Sequence, residues 1–167
     1  MTFSAIYGCV ASSRKLAGAP PVKTTWKHWG VELLSGSDGA PETLRMRSIQ
    51  WNFVSGVHTQ NLASANNIHS DIGPSNNSLT DLYTNSTTYA QWLSTSLPST
   101  ARVKIWGTFA SEVTVAAMGL MPQSFTLYMP ETFRFIWSDD AVTWFGGTET
   151  PRGSWSTSDY NWFNTGF

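Results

Sequence analysis

The chain has 167 residues, a length that suits one domain able to bury roughly 70% of its unfolded surface without disulfide or metal support. Nine Trp, nine Phe and five Tyr accompany a charged fraction of only 13%, against roughly 25% in average proteins, and the net charge is −1. This balance excludes the basic footprint of a nucleic-acid or anionic-membrane binder, the single Cys9 excludes a disulfide scaffold, and no apolar run approaches the ~20 residues of a membrane helix.

Met1-Thr2-Phe3 opens without a basic segment followed by an apolar one, so no secretory signal is expected and folding in a cytoplasm is. Residues 1–21 read as an N-terminal arm ahead of a domain over 22–167. Phe3, Ile6 and Tyr7 are its apolar anchors, and Ser12-Ser13-Arg14-Lys15 and Gly18-Ala19-Pro20-Pro21 are linker-like. Such an arm either packs on its own domain or docks on a neighbouring subunit; the anchors suit the second role, because a free tail has no use for them.

Thr24 to Leu34 predicts a strand with Trp29, Val31 and Leu33 on one face and Trp26 on the other. Gly36-Ser37-Asp38-Gly39 is a turn. Leu44 to Val54 predicts a second strand whose apolar parity changes: Leu44 and Met46 are even, Ile49, Trp51 and Phe53 odd. A bulge near Arg47-Ser48 reconciles the two sets, since one extra residue swaps faces. Ser55 to Ser78 is a long irregular segment rich in Asn, Ser, Gly, Pro and His, of a length often associated with function. Asp81 to Trp92 comes next as a polar loop closed by aromatics, then Leu93 to Thr100 as a Ser/Thr-rich connection.

Alternation then returns in Arg102–Trp106, Val113–Met118 and Phe125–Met129, with Pro122 and Pro130 at the boundaries, where a missing N–H is tolerated. Phe133, Phe135 and Trp137 share a strand face, Ser138-Asp139-Asp140-Ala141 is turn-prone, and Val142 and Trp144 alternate again, which predicts a β-hairpin. Trp92, Trp137 and Trp144 are assigned to the core. Ser154 to Phe167 closes the chain with Trp155, Tyr160, Trp162, Phe163 and Phe167. Short alternating strands without useful 3.6-residue periodicity predict an all-β fold, an antiparallel sandwich.

No catalytic constellation is legible: there is no Gly-x-Ser-x-Gly elbow, no His-Glu-x-x-His, no phosphate-cradling glycine loop and no Cys-x-x-Cys. A non-enzymatic protein is expected. Asp139 and Asp140 read as turn formers rather than an acid–base pair, and His58, His69 and Asp71 lack a recognised metal spacing.

Four pieces of the chain resemble a known family. Phe133 to Trp144 resembles the Ser-Asp-Asp-Gly-x-x-Trp hairpin of discoidin-like, galactose-binding-like jelly rolls, the F5/8 type C and family 32 carbohydrate-binding modules. Trp29–Leu33 with Arg47–Trp51 resembles the opening strand pair of many phage versions. Leu79 to Trp92 resembles the family's Asp-Gly-x-x-x-Thr-x-Trp loop, and Phe109 to Met118 its Phe-Gly-x-Pro-Val-Thr-Val strand. In order and spacing they cover roughly 25–167. Ala141 stands for the usual turn Gly, at a cost on the order of 1 kcal/mol if the position needs a positive φ. Leu82 comes after Asp81 in place of Gly, and Ala110 and Glu112 stand for Gly and Pro.

The resemblance implies a jelly roll and two functional readings. One is a virion structural protein of a tailed phage, a capsid decoration or small tail or fibre protein, whose partners are other virion proteins and copies of itself through Phe3, Ile6, Tyr7 and Trp162. The other is a lectin-like adhesion module for a surface glycan. Sugars need an aromatic face and planar donors and acceptors, and the candidates are His58, Asn61, Asn67, His69, Arg102, Arg152, Trp155 and Tyr160. Against that stands the plainer reading that Trp155, Trp162 and Phe163 close the core or a subunit interface and that the Asn and Ser residues simply make loops. The family often holds a structural Ca²⁺; Asp81, Asn85 and Thr88 are the candidate ligands, against a loop held by side chain to backbone bonds. Neither nucleic acid nor membrane is an expected partner.

Overall fold

A computed structural model describes residues 22–34, 44–53, 67–75, 77–83, 88–92, 102–123, 130, 132–151, 153–156 and 158–167. The expected arm, the turn at 36–39 and the strand Phe125–Met129 lie outside the described residues. Among the described residues ten strands run in chain order: β1 (Trp26–Leu34), β2 (Leu44–Asn52), β3 (Ile68–Ser70), β4 (Ala90–Trp92), β5 (Arg102–Val113), β6 (Ala117–Pro122), β7 (Thr132–Ser138), β8 (Phe145–Gly146), β9 (Thr150–Pro151) and β10 (Asn161–Asn164), with a 3-10 helix at Leu79–Tyr83 between β3 and β4. They form two antiparallel sheets, ordered β3-β5-β1-β7-β8 with β9 also on β7, and β10-β6-β2-β4. The protein is an all-β sandwich.

The core lies where alternation puts it. Trp29, Val31 and Leu33 of β1 pair across to Trp137, Phe135 and Phe133 of β7, and to Gly107, Ile105 and Val103 of β5. Cross-strand partners share a face, so these rows make one inner surface. From the smaller sheet Leu44, Met46, Ile49 and Trp51 of β2 meet it with Met118 and Leu120 of β6, all sealed from solvent. The parity change in β2 is resolved as expected: the register with β6 slips between Met46 and Ser48, so Arg47 is the extra residue and both apolar sets face inward.

Buried indoles need acceptors, and three core Trp find backbone carbonyls. Trp51 Nε1 donates to Trp29 O at 2.8 Å, tying one sheet to the other; Trp29 Nε1 donates to Val113 O at 2.9 Å and Trp92 Nε1 to Ile72 O at 2.7 Å.

Four expectations are corrected. Trp26 does not oppose Trp29, because the β1–β5 register shifts between Trp26 and His28; Trp26 turns inward to stack on Trp137 and Phe145. The strand placed at Val113–Met118 is instead the end of β5, a break at 114–116 and the start of β6. The segment 55–78 contains β3, which pairs with β5 at the sheet edge. The hairpin's return strand is not Val142–Trp144 but Phe145–Gly146, after a longer turn in which Val142 is 80% exposed.

That turn has a physical cause. Asp140 Oδ1 accepts from Val142 N, Thr143 N and Ser138 Oγ at 2.8–2.9 Å, and Ser138 Oγ accepts from Asp140 N and Ala141 N. One carboxylate and one hydroxyl therefore satisfy four backbone donors, and Ala141 is held at φ 57°. Asp139 points elsewhere, to Lys23 Nζ at 2.7 Å. The two acids are turn and anchor, in keeping with their adjacency.

Candidate functional site

Trp144 is not a core residue. It lies half-buried on the outer face of the larger sheet, 5.1 Å from Trp106 between ring centroids and tilted by 59°. Strand parity explains why Trp106 is there. Ile105 faces the core opposite Val31, so Trp106 faces out, opposite Gly30 of β1 and His69 of β3. His69 stacks on the other side of Trp106, at 5.8 Å and 31°. Three planar side chains from β3, β5 and the segment after β7 thus form one aromatic group.

Beside it runs a row of charge. Glu32 of β1 pairs in register with Lys104 of β5 and Arg134 of β7. It faces outward yet is only 3% exposed. Arg134 Nε donates to Glu32 Oε2 in a very short contact, and Arg102 Nη1 stands 3.6 Å from the same oxygen. Arg102 Nη2 reaches Glu149 Oε1 at 3.4 Å, and Lys104 Nζ reaches Asp71 Oδ2 at 3.5 Å. Ile136, also on the outward parity, is 1% exposed. Larger neighbours therefore cover Glu32 and Ile136, while Arg102 and Glu149 beside them stay about half exposed.

Two glycines keep this surface low. Gly30 lies against Trp106, and a Cβ at Gly146 would stand 3.3–3.4 Å from the Arg134 guanidinium. Without side chains at 30 and 146, an indole and a guanidinium can settle close to the sheet. A stacked aromatic group and a guanidinium oriented by a sealed carboxylate share one sheet face, an arrangement suited to recognition by stacking and hydrogen bonding.

Towards β3, His28 shares this face. Its Nδ1 is 3.0 Å from Thr108 Oγ1, and burial, then Lys27 and His69, push its imidazole below its ordinary pKa. A cavity of about 490 Å³ opens beyond Thr108, lined by Lys27, Phe53, Asn67, Phe109, Ala110 and Ser111 among others.

Of the residues expected to bind sugar, His69 and Arg102 come to this outer face and Asn67 to the cavity. Trp155 does not join them: it packs edge-on against Phe133 at 5.4 Å and beside Phe163, at the margin of the core. Tyr160 belongs to the opposite sheet, where its hydroxyl is 2.7 Å from Ser48 Oγ and its ring stacks on Trp162; burial pushes its phenol up. Trp162 lies half-buried against Gly119. His58, Asn61 and Arg152 lie outside the described residues, as do Phe3, Ile6 and Tyr7 of the expected interface.

The calcium candidates form a clasp. Asp81 Oδ2 accepts from Ser78 N at 3.0 Å and Oδ1 from Thr88 Oγ1 at 3.1 Å, while Asn85 lies outside the described residues. Both carboxylate oxygens are engaged by donors, and the Thr88 hydroxyl points its proton at Asp81. The described residues do not fit a shell of six to eight converging oxygens. Asp71, weighed with His58 and His69 as a metal ligand, instead accepts from Lys104 N at 2.8 Å as well as pairing with its ammonium.

Sequence reasoning misses Trp106, Trp144, Arg134 and Glu32. The outward parity of Trp106 and Arg134 is legible; their meeting with residues of distant strands is not. No protein-family model, curated protein or solved structure matches the chain.

Proposed function

We propose that this protein is a non-enzymatic virion structural protein of a tailed bacteriophage, a capsid decoration or small tail or fibre protein, on a jelly-roll sandwich of galactose-binding-like type. Its partners are other virion proteins and further copies of itself. The observation that carries this reading is a set of exposed apolar side chains among charged ones at the hairpin-turn end of the sandwich. Val22, Val142 and Phe145 are 82%, 80% and 49% exposed there, where residues 1–21 join the domain. Phe145 stacks on Trp26 at 5.1 Å, and Lys23 lies over the same indole and is anchored to Asp139 and Glu112. Exposed apolar groups around a fixed attachment point suit an assembly contact. Deleting residues 1–21, and separately Phe145→Ser with Val142→Ser, tests it: incorporation into particles falls while the isolated domain stays folded. Normal incorporation of both variants would sink this reading.

A second reading, a glycan-binding adhesion module, is favoured by one specific observation: the outer-face group of His69, Trp106 and Trp144 beside Arg134 and Arg102. The two readings are compatible, since a virion protein can present a glycan-binding face. A broad glycan array including bacterial surface polysaccharides tests it, with binding expected and a clean negative counting against it.

A further inference from the structure

The glycan-binding reading leaves the ligand's place and charge open. Resting on that reading, we propose that the outer face of the larger sheet binds a neutral pyranose, stacked over Trp106 and Trp144 with its hydroxyls taken by Arg134 and Glu149.

The first support is unused hydrogen-bonding capacity. Among the described residues, Arg134 spends only Nε, on Glu32, and its two terminal nitrogens have no acceptor. Trp106 Nε1, Trp144 Nε1 and the ring nitrogens of His69 likewise have no partner there, and none of these atoms is sealed from solvent. Glu149 commits Oε1 to Arg102 and leaves Oε2 unengaged. Open donors thus lie on the aromatic group itself, and Arg134 and Glu149 offer further open positions along the same charged row of the sheet. A sugar hydroxyl both donates and accepts, so it can answer both kinds.

The second support is charge. Arg102, Lys104 and Arg134 face Glu32, Asp71 and Glu149, and all six are in ion pairs. Among these six groups the charges balance, three of each sign, so the row offers a phosphate, sulfate or carboxylate no surplus of positive charge. An uncharged polyol avoids breaking those pairs.

The third is shape and rigidity. Trp106 is fixed between His69 and Trp144, and Arg134 by the sealed Glu32 and by the room Gly146 leaves. Side chains already ordered lose little freedom when a ligand arrives. The C–H face of a pyranose matches an indole face, and planar guanidinium and carboxylate groups at the rim can set orientation.

The test is an array of neutral hexose and N-acetylhexosamine glycans alongside sialylated, uronic and sulfated ones. It is probed with wild type, Trp106→Ala, Trp144→Ala and Arg134→Lys, each checked for fold by circular dichroism. Neutral glycans should bind wild type and shift its tryptophan emission. Trp144→Ala should weaken that binding roughly 10-fold or more, as removal of a central aromatic contact does. Trp106 lies on the sheet, so its loss could disturb folding; Trp144 sits on a connecting segment and supplies the cleaner variant. Neutral binding unchanged in folded Trp144→Ala, or binding confined to acidic glycans, overturns the proposed place or class while glycan binding itself stands. Binding to no glycan removes both.

Discussion

Trp106 stands directly against Gly30: a Cβ at position 30 would meet the Cβ of Trp106 at 2.7 Å and the carbonyl oxygen of Ile105 at 2.2 Å. The second atom is backbone and cannot swing away. Gly30→Ala should therefore force β1 and β5 apart at the centre of the larger sheet. The expected cost is about 3 kcal/mol, at the upper end of ordinary overpacking. Urea unfolding of the variant against wild type reads it directly, and an unchanged midpoint would show that the sheet yields there.

Ala141 is held at φ 57°, where a Cβ is strained and glycine is not. Its N–H is bonded to Ser138 Oγ, so the turn does not relax to relieve it. Ala141→Gly should stabilise the protein by about 1 kcal/mol. The prediction is unusual in sign, since glycine normally weakens a chain through its unfolded state. A lower melting temperature for the variant would count against it.

Asp140 accepts two backbone N–H groups and the Ser138 hydroxyl, and these bonds hold its carboxyl at about 2, below the ordinary 3.8. The backbone bonds from Val142 and Thr143 are the largest cause. A folded-state value below the unfolded one means that stability is fully present above about pH 4 and is lost as pH falls through about 2. Melting temperatures of wild type and Asp140→Asn across that window should converge towards low pH. Parallel curves would remove Asp140 from the acid response.

Glu32 is 3% exposed and faces Arg134 and Arg102, so truncating it leaves guanidinium charge against a sealed site. Glu32→Ala should cost about 3 kcal/mol. Arg102→Ala should cost below about 1 kcal/mol, because its side chain is 48% exposed and water screens its pairs. Denaturant midpoints of the two variants should differ clearly; equal losses would mean that Arg102, not Arg134, is the partner that matters.

Much of the fold is legible in the residues because strand alternation is local. The rows Trp29-Val31-Leu33, Val103-Ile105 and Phe133-Phe135 can be read two residues at a time, and burial tracks them. The Arg47 bulge is legible for the same reason: a parity change in one strand has one simple remedy. The Ser138–Asp140 turn comes from short side chains that bond their own backbone.

The candidate site is legible only in part. The chemistry of His69 and Arg102 marks them as candidates, but with the wrong neighbours: Trp155 and Tyr160, expected beside them, belong to the core margin and the other sheet. An inward Trp144 depends on a return strand that begins at Val142. Pairing instead begins at Phe145, which leaves Val142 and Trp144 in the turn and its exit.

By itself, then, the sequence determined which residues face inward along each strand, where one strand bulges, and that a sandwich results. Only the tertiary structure decided which strands lie side by side. Trp106 meets Trp144, and Glu32 meets Arg134 across 102 positions of chain, because β5, β1 and β7 are neighbours in one sheet. Periodicity carries no record of that order; it is fixed by which apolar faces can close on one another, a property of the whole chain.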